Sequence, residues 1–372
     1  MGMQDGAGIT PRRRLTTGQI VAFAFGVLIV VAIFAFAVPR FADYSAVWAA
    51  MKTLTPVEFW SLMAAMVFNL YTYWLANQAG LIGMSLGQSA VVTQTSTSVA
   101  NTLPAGGALG VGVTAAMLNT WGFTAGEITL FVGVTGIWNI FVKLGLPVVA
   151  LALLVVTGNS DPKLVAAAAI GVVVLVISIV LLALVFRSEA MARAVGRLVE
   201  RVLNAARRLV RKPTTSDMGD KAAKFRRETI LLTKRRWFML TWTTVLSQVA
   251  LFYVLLLSLR HMGVAEQELA TVEIFAVYAF SRLLTAIPIT PGGVGVIDLG
   301  YIAGLTAIDA GEHAEIVAGV LIFRLLTYGL QIPLGAFTYA VWRRKKSWRR
   351  DTPPPGSIAA ELQHASATVT AS

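Results

Sequence analysis

A chain of 372 residues that is 56% hydrophobic and only 13% charged, with a mean hydropathy of +0.71, is not an ordinary soluble domain and reads as a polytopic membrane protein. The net charge of +12 does not require nucleic acid, because the cytoplasmic loops of a membrane protein collect basic residues for topological reasons. Cysteine is absent, which excludes a disulfide framework and thiolate chemistry, and the three histidines, His261, His313 and His364, show no helical ligand spacing, so neither metal nor cofactor is expected.

In chain order, an apolar run of about 20 residues is long enough to span a bilayer as a helix, and six such runs occur: 20–38, 57–77, 126–156, 164–186, 237–258 and 314–341. A cleaved signal peptide competes for the first, since Arg12–Arg14 precede it and Ala35-Phe36-Ala37 ends it, but the run is longer than a signal core. Two further stretches, 86–120 and 269–308, are too polar for lipid-facing spans and are each interrupted by a Pro-Gly-Gly cluster. The first holds Gln88, Thr93 to Ser98 and Asn101, and the second holds Glu273, Arg282 and Asp298. Broken backbone is viable at membrane depth only where protein or a polar cavity surrounds it, so both are expected to be two-limbed re-entrant hairpins.

Between the halves lies a basic loop, 187–236. Within 191–210, Met191, Val195, Leu198, Val199, Val202 and Leu203 recur at helical spacing between Arg193, Arg197, Arg201, Arg207 and Arg208, the pattern of an amphipathic helix lying on the inner leaflet and attracting anionic headgroups. Three basic residues in 1–19, fifteen in 187–236 and six in 343–350 make up most of the 31. With the N-terminus cytoplasmic and each hairpin returning to its own side, all three segments fall in the cytoplasm. The expected organisation is a cytoplasmic N-terminus (1–19), a membrane domain (20–345, with halves 20–186 and 237–345), and a disordered cytoplasmic tail (346–372). It further places the two hairpins on opposite faces of the membrane.

An offset of 186 residues aligns Gly106 and Gly107 with Gly292 and Gly293, and Pro147 with Pro333, which indicates an inverted repeat. Such repeats, with discontinuous helices, are a transporter signature, and their half-helix N-termini face anionic groups near the midplane. Arg324 and Lys143 fall in mid-span, where a cation is unfavourable by about 2.5–3.5 kcal/mol and must face protein or water. They could grip one phosphate, or Arg324 could pair with Asp298 or Glu273 as a structural salt bridge. Asp298 could gate or load a proton. The GGVGV run follows no strand and opens no βαβ unit, so a dinucleotide or Walker reading fails on context.

The motif PITPGGVGVID, the preceding Ser281-Arg282 and the later AEIVAGVLIFRLLTYGLQIPLGA resemble the lysylphosphatidylglycerol synthase transmembrane-domain family, also called flippase-like membrane proteins, over most of 20–345. Pro291, Gly292, Gly293, Gly295 and Asp298 fall on the family's Pro-Gly-Gly-x-Gly-x-x-acid pattern, with Asp298 in place of the more usual glutamate. Asn101 and the LPAGG at 103–107 look like its first-half motif. What the resemblance implies is lipid translocation rather than lipid aminoacylation, since these residues carry no soluble aminoacyltransferase module.

The expectation is therefore an all-α polytopic protein of the plasma membrane, multi-pass with both termini cytoplasmic, that moves an anionic phospholipid or lipid-linked glycan between leaflets. The expected substrate-binding residues are Arg324, Lys143, Arg282, Asn101, Gly106, Gly107, Pro291, Gly292, Gly293 and Gly295, with Asp298 and Glu273 gating or coupling. Its partners are membrane lipids with anionic headgroups and not nucleic acid, and a homodimer is left open. A membrane-embedded glycosyl- or phosphotransferase acting on polyprenyl lipids would need a base and a carboxylate cluster, where this chain has dispersed acids. A small-solute carrier is the third class.

Overall fold

The computed structural model describes residues 44–103, 106–158, 187–209, 216–285, 290–308 and 313–361, with parts of 173–184. The expected N-terminal segment, the run 20–38 with its competing signal-peptide reading, and most of 164–186 lie outside the described residues. All regular structure among the described residues is helical. The helices are α1 (Tyr44–Lys52), α2 (Pro56–Gly80), α3 (Leu86–Thr102), α4 (Gly106–Thr120), α5 (Ala125–Val156), α6 (Glu189–Leu209), α7 (Met218–His261), α8 (Thr271–Leu284), α9 (Val296–Thr306), α10 (Ala314–Arg324) and α11 (Gln331–Arg344).

Three of the helix starts are written in the sequence as S/T-x-x-E/Q. Thr55 with Glu58, Ser85 with Gln88 and Thr124 with Glu127 each exchange a reciprocal pair of hydrogen bonds that satisfies the otherwise free N–H groups of the first turn. Three stretches, Ala125–Val156, Arg235–His261 and Ala314–Arg344, are long and apolar enough to cross a membrane. At 25 residues α2 has comparable length but carries Asn69, Thr72, Asn77 and Gln78.

Contacts sort the loops into two ends. At one, the Gln78 carbonyl accepts from Arg236, the Thr120 carbonyl accepts from the Arg350 N–H, and Trp121 meets Trp348 edge to face. At the other, Ser61 hydrogen-bonds His261 at 2.7 Å and Gly263 lies against Glu315. The long helices α2, α5, α7 and α10–α11 run between these ends. Their core includes Leu62, Met66, Val254, Leu255, Leu259, Tyr278, Ile302 and Val317, and α2 packs along α7.

Between them stand two helix pairs. The first, α3 with α4, is antiparallel: Gly110 approaches Ser96 while Gly106 abuts Ala100, and a Cβ at Gly106 would collide with the Ala100 carbonyl. The second is α8 with α9. Their packing is crossed, since α3 lies against α11 of the second half and α8 against α5 of the first. Gly335 makes the first crossing possible, because a side chain there would run into Ser98.

Two expectations are corrected. The basic segment from 218 onward is no loop: α7 begins at Met218, well before its apolar part, and a 44-residue helix is about 66 Å long, twice a bilayer core. The expected amphipathic helix is present as α6, and it packs antiparallel along this extension, with Glu189 paired to Arg227, Arg193 to Asp220 and Gly196 against Met218. It still exposes Leu198 and Val202. Nor is the C-terminal segment disordered over 346–361. Trp348 packs on Gly87, Ser357 on Gly83, the Ala359 N–H donates to Glu127 and Arg235 pairs with Glu361, because the short prolines and small residues of 352–360 fit against glycine-lined loops that expose backbone.

Candidate functional site

The tip of the second helix pair is built on glycine. After Thr290 the chain makes a single 3-10 turn, Pro291–Gly293, in which Gly292 has φ 59° and Gly293 φ 71°, and Gly295 follows at φ 83°. These left-handed angles are strained for residues with a Cβ. At Gly292 space forbids one as well, since a Cβ would collide with the Tyr328 ring and lie 3.0 Å from the Asn101 side-chain oxygen.

Asp298 is the third residue of α9, close enough to reach back and cap it. One carboxylate oxygen accepts from the Gly295 N–H at 2.7 Å, and the other lies 2.5 Å from Nε of Arg324. The carboxylate is almost wholly buried and the guanidinium 16% exposed. Neither of the two close atoms makes a hydrogen bond of good geometry, so the contact is an ion pair by proximity rather than an aligned fork. The arginine also reaches the Gly292 carbonyl at 3.5 Å, the limit of a hydrogen bond, and lies 5.0 Å from the Tyr328 ring centre.

A backbone irregularity places Arg324. Pro333 has no N–H for the Gly329 carbonyl, and its ring crowds that oxygen. The ladder yields by one residue in a π turn, Leu325–Gly329, closed by the Leu330 N–H on the Leu325 carbonyl at 2.8 Å. Arg324 is the last α-helical residue before it, and such turns recur at functional sites. Pro147, which the 186-residue offset aligns with Pro333, sits within a continuous α5.

Tyr328 ties the two halves, its hydroxyl donating to the Asn101 carbonyl at 2.6 Å. Asn101, Gly292, Gly295, Asp298 and Arg324 thus converge where the tips of both helix pairs meet, and both α3 and α4 touch the Pro291–Gly293 turn. Gly106 serves the close packing of α4 on α3, whereas Gly107 is exposed with open space around it.

Lys143 has other neighbours than Arg324. Its Nζ donates to the Thr285 hydroxyl at 3.1 Å, beside Arg282 at the C-terminal end of α8. Arg282 donates through Nε to the Gln248 side-chain oxygen at 3.1 Å, and Tyr278 donates to the Gln248 backbone oxygen at 2.8 Å. Tyr301, one turn beyond Asp298 on α9, is buried against Phe323 and neighbours Arg282. Among the described residues no carboxylate forms an ion pair with Lys143 or Arg282, while Arg324 has one. The C-terminal dipole of α8 contributes about 0.3–1 kcal/mol at such a position. Two membrane-buried cations cost about 2.5–3.5 kcal/mol each, so the helix end does not offset them.

Glu273 belongs elsewhere. It caps the far end of α8 by accepting from the Ala270 N–H at 2.9 Å, and the carboxylate beside Arg324 is that of Asp298. Sequence reasoning missed Tyr328, Gln248, Tyr278 and Tyr301. The available signals were Tyr328 one turn beyond Arg324 and an amide in the middle of an apolar run at 237–258.

Three cavities lie away from Arg324: an apolar 630 Å³ groove on α2 between Trp60 and Trp74, one of 360 Å³ beside Trp138 and Thr241, and a 370 Å³ cleft at Arg197, Arg201 and Arg208. The junction itself is a seam whose rim, Gly292, Thr102, Leu103, Gly107 and Leu325, is exposed.

Comparison with known proteins gives a match to the family described as lysylphosphatidylglycerol synthase TM region, over residues 23–335. No curated protein matches.

Proposed function

The chain belongs to the lysylphosphatidylglycerol synthase transmembrane-region family and is an integral membrane protein, and we propose that it moves an anionic phospholipid or lipid-linked glycan between the two leaflets. The observation that carries the reading is the Arg324–Asp298 ion pair at a seam where two helix tips meet, with an exposed rim that lipid can approach from the side.

Geometry supports the two pairs as re-entrant hairpins. Helices of 17, 15, 14 and 11 residues rise about 26, 22, 21 and 16 Å, short of a hydrocarbon core of about 30 Å. The 186-residue offset carries α4, Gly106–Thr120, onto 292–306, where α9 ends at Thr306, and the crossed packing of α3 on α11 and α8 on α5 is what two inverted repeats would give. Lys234, Arg235 and Arg236, Arg343 to Lys346 and the α6–α7 extension gather at one end, which favours that end as cytoplasmic in a plasma membrane, and the three basic residues of 1–19 favour a cytoplasmic N-terminus by the same rule.

In this mechanism the acyl chains stay in lipid while the headgroup crosses the seam. Desolvating the headgroup charge is the obstacle, and buried donors lower it. Arg324 and Asp298 act as the gate: closed, each neutralises the other; open, the arginine faces the seam. Glycine at 292, 293 and 295 lets the tip of the second pair change its backbone angles without moving the long helices.

The test is headgroup translocation in reconstituted vesicles by the double variant Arg324→Gln with Asp298→Asn. Removing both charges avoids the unpaired buried ion that either single change would leave. Headgroup movement should fall to the rate of protein-free vesicles, and movement at the wild-type rate would remove the gate and the reading with it.

A further inference from the structure

Among the described residues, two cations of the membrane domain have neutral hydrogen-bond partners alone. Lys143 donates to Thr285, and Arg282 donates to Gln248. Because arginine can only donate, the Gln248 amide must turn its oxygen to Arg282, and its nitrogen is then a buried donor with no hydrogen-bond partner on a residue that is itself fully buried. Tyr278 spends its hydroxyl proton on the same glutamine. Lys143 and Arg282 are half-buried residues. The Arg324–Asp298 pair, by contrast, is internally neutral.

Resting on the transport reading above, we propose that Lys143, Arg282 and the Gln248 amide form the phosphate-recognition site of this protein, on the α5–α8–α7 side of Tyr301, and that Arg324 is the gate rather than the phosphate ligand. The ligand chemistry is a phosphate oxyanion, carried either by a lipid headgroup phosphodiester or by free phosphate. An arginine fork and a lysine point charge on adjacent elements suit tetrahedral oxyanions. An orphaned amide donor adds a third direction. Such a site sorts headgroups by their phosphate and leaves the rest of the headgroup to the seam.

The full chain in a zwitterionic detergent, titrated with dihexanoyl phosphatidylglycerol and followed by tryptophan fluorescence, tests this without any requirement for transport. Binding should be saturable, and Lys143→Gln should weaken it at least tenfold. The decisive variant is Gln248→Glu, which puts a carboxylate on the Arg282 Nε and competes with a bound phosphate. It should raise the unfolding temperature and abolish binding together, a combination that a merely structural role would not give. Displacement by inorganic phosphate would mark phosphate itself as the ligand, and resistance to displacement would mark the lipid headgroup; either supports the site. Absence of binding to the wild type, or binding by Gln248→Glu that equals it, overturns the proposal. A protein that binds the lipid yet moves none in vesicles would sink the transport reading and leave this site standing.

Discussion

The helix pair of the first half, α3 with α4, holds no ionisable side chain in 86–120, whereas its counterpart, α8 with α9, carries Glu273, Arg282 and Asp298. Both end in paired glycines, yet they use them differently. In the first pair Gly106 is helical and allows close approach to Ala100, and hydroxyls donate to backbone carbonyls, Thr102 to Ser98 of its own helix and Ser98 to Ile332 of α11. In the second pair the glycines are left-handed and break the helix around a charge. The difference teaches that one pair is a packed, neutral wall and the other a charged tip broken by glycine, even though their sequences align at one offset.

The strongest way to break this contrast is to strand a charge. Asp298→Ala leaves Arg324 buried and unpaired, and should destabilise the protein by about 3–5 kcal/mol, read as thermal unfolding in detergent. Adding Arg324→Gln should recover most of that loss. If the double variant is as unstable as the sum of the singles, the two residues are not coupled.

Glycine substitutions sharpen the comparison next. Gly292→Ala meets both a left-handed backbone and the Tyr328 ring, so a loss of about 1–3 kcal/mol is expected. Gly107→Ala has open space at a right-handed position and should change stability by less than about 0.5 kcal/mol. Equal effects at the two sites would mean that the pairs are built alike.

Weaker still is the link between them. Tyr328→Phe removes the hydroxyl that donates to the Asn101 carbonyl, and a hydrogen bond between membrane helices is worth about 0.6–1.7 kcal/mol. Thr95→Val, which removes the 2.9 Å contact with Thr338 in the neutral wall, should fall in the same range. A much larger loss for Tyr328→Phe would show that the seam carries more than this bond.

The smallest effect concerns the turn that leads into α8. Glu266 is held below its ordinary carboxylate value of 4.5, first by the Thr271 N–H and then by the Thr271 hydroxyl, with Arg260 adding to it. A depressed acid stabilises the folded form above its unfolded value and loses that contribution as pH falls through the lower one. Amide protection at 266–271, taken relative to the intrinsic exchange rate at each pH, should therefore hold at neutral pH and fall in acid below 4.5. The group is largely exposed, so the change is local, and protection that is flat through the acid range would show that the turn does not depend on this carboxylate.

Much of the site was legible before any coordinates. Glycine, proline and charge inside an apolar run mark broken backbone that needs protein around it, which singled out Arg282, Gly292 and Asp298 directly. Arg324 was legible for its mid-span cost, and its possible pairing with Asp298 could be weighed, though not decided, from spacing alone. What could not be read was which cation stands beside which neighbour. Arg324 and Lys143 looked like one clamp because the offset sets them about a turn apart. In the fold Lys143 instead turns to Thr285 and Arg282, since α8 packs on α5 across the halves.

The local sequence by itself determined an all-helical membrane protein and its glycine breaks, because those signals are local: each depends on residues within a turn or two. Tertiary structure alone decided the Asp298 pairing, the π turn beside Arg324, the helical extension of α7 with α6 against it, and the packed tail at 346–361. These depend on residues tens to hundreds of positions apart, and a charge or an orphaned amide reveals its partner only when the chain brings the two together.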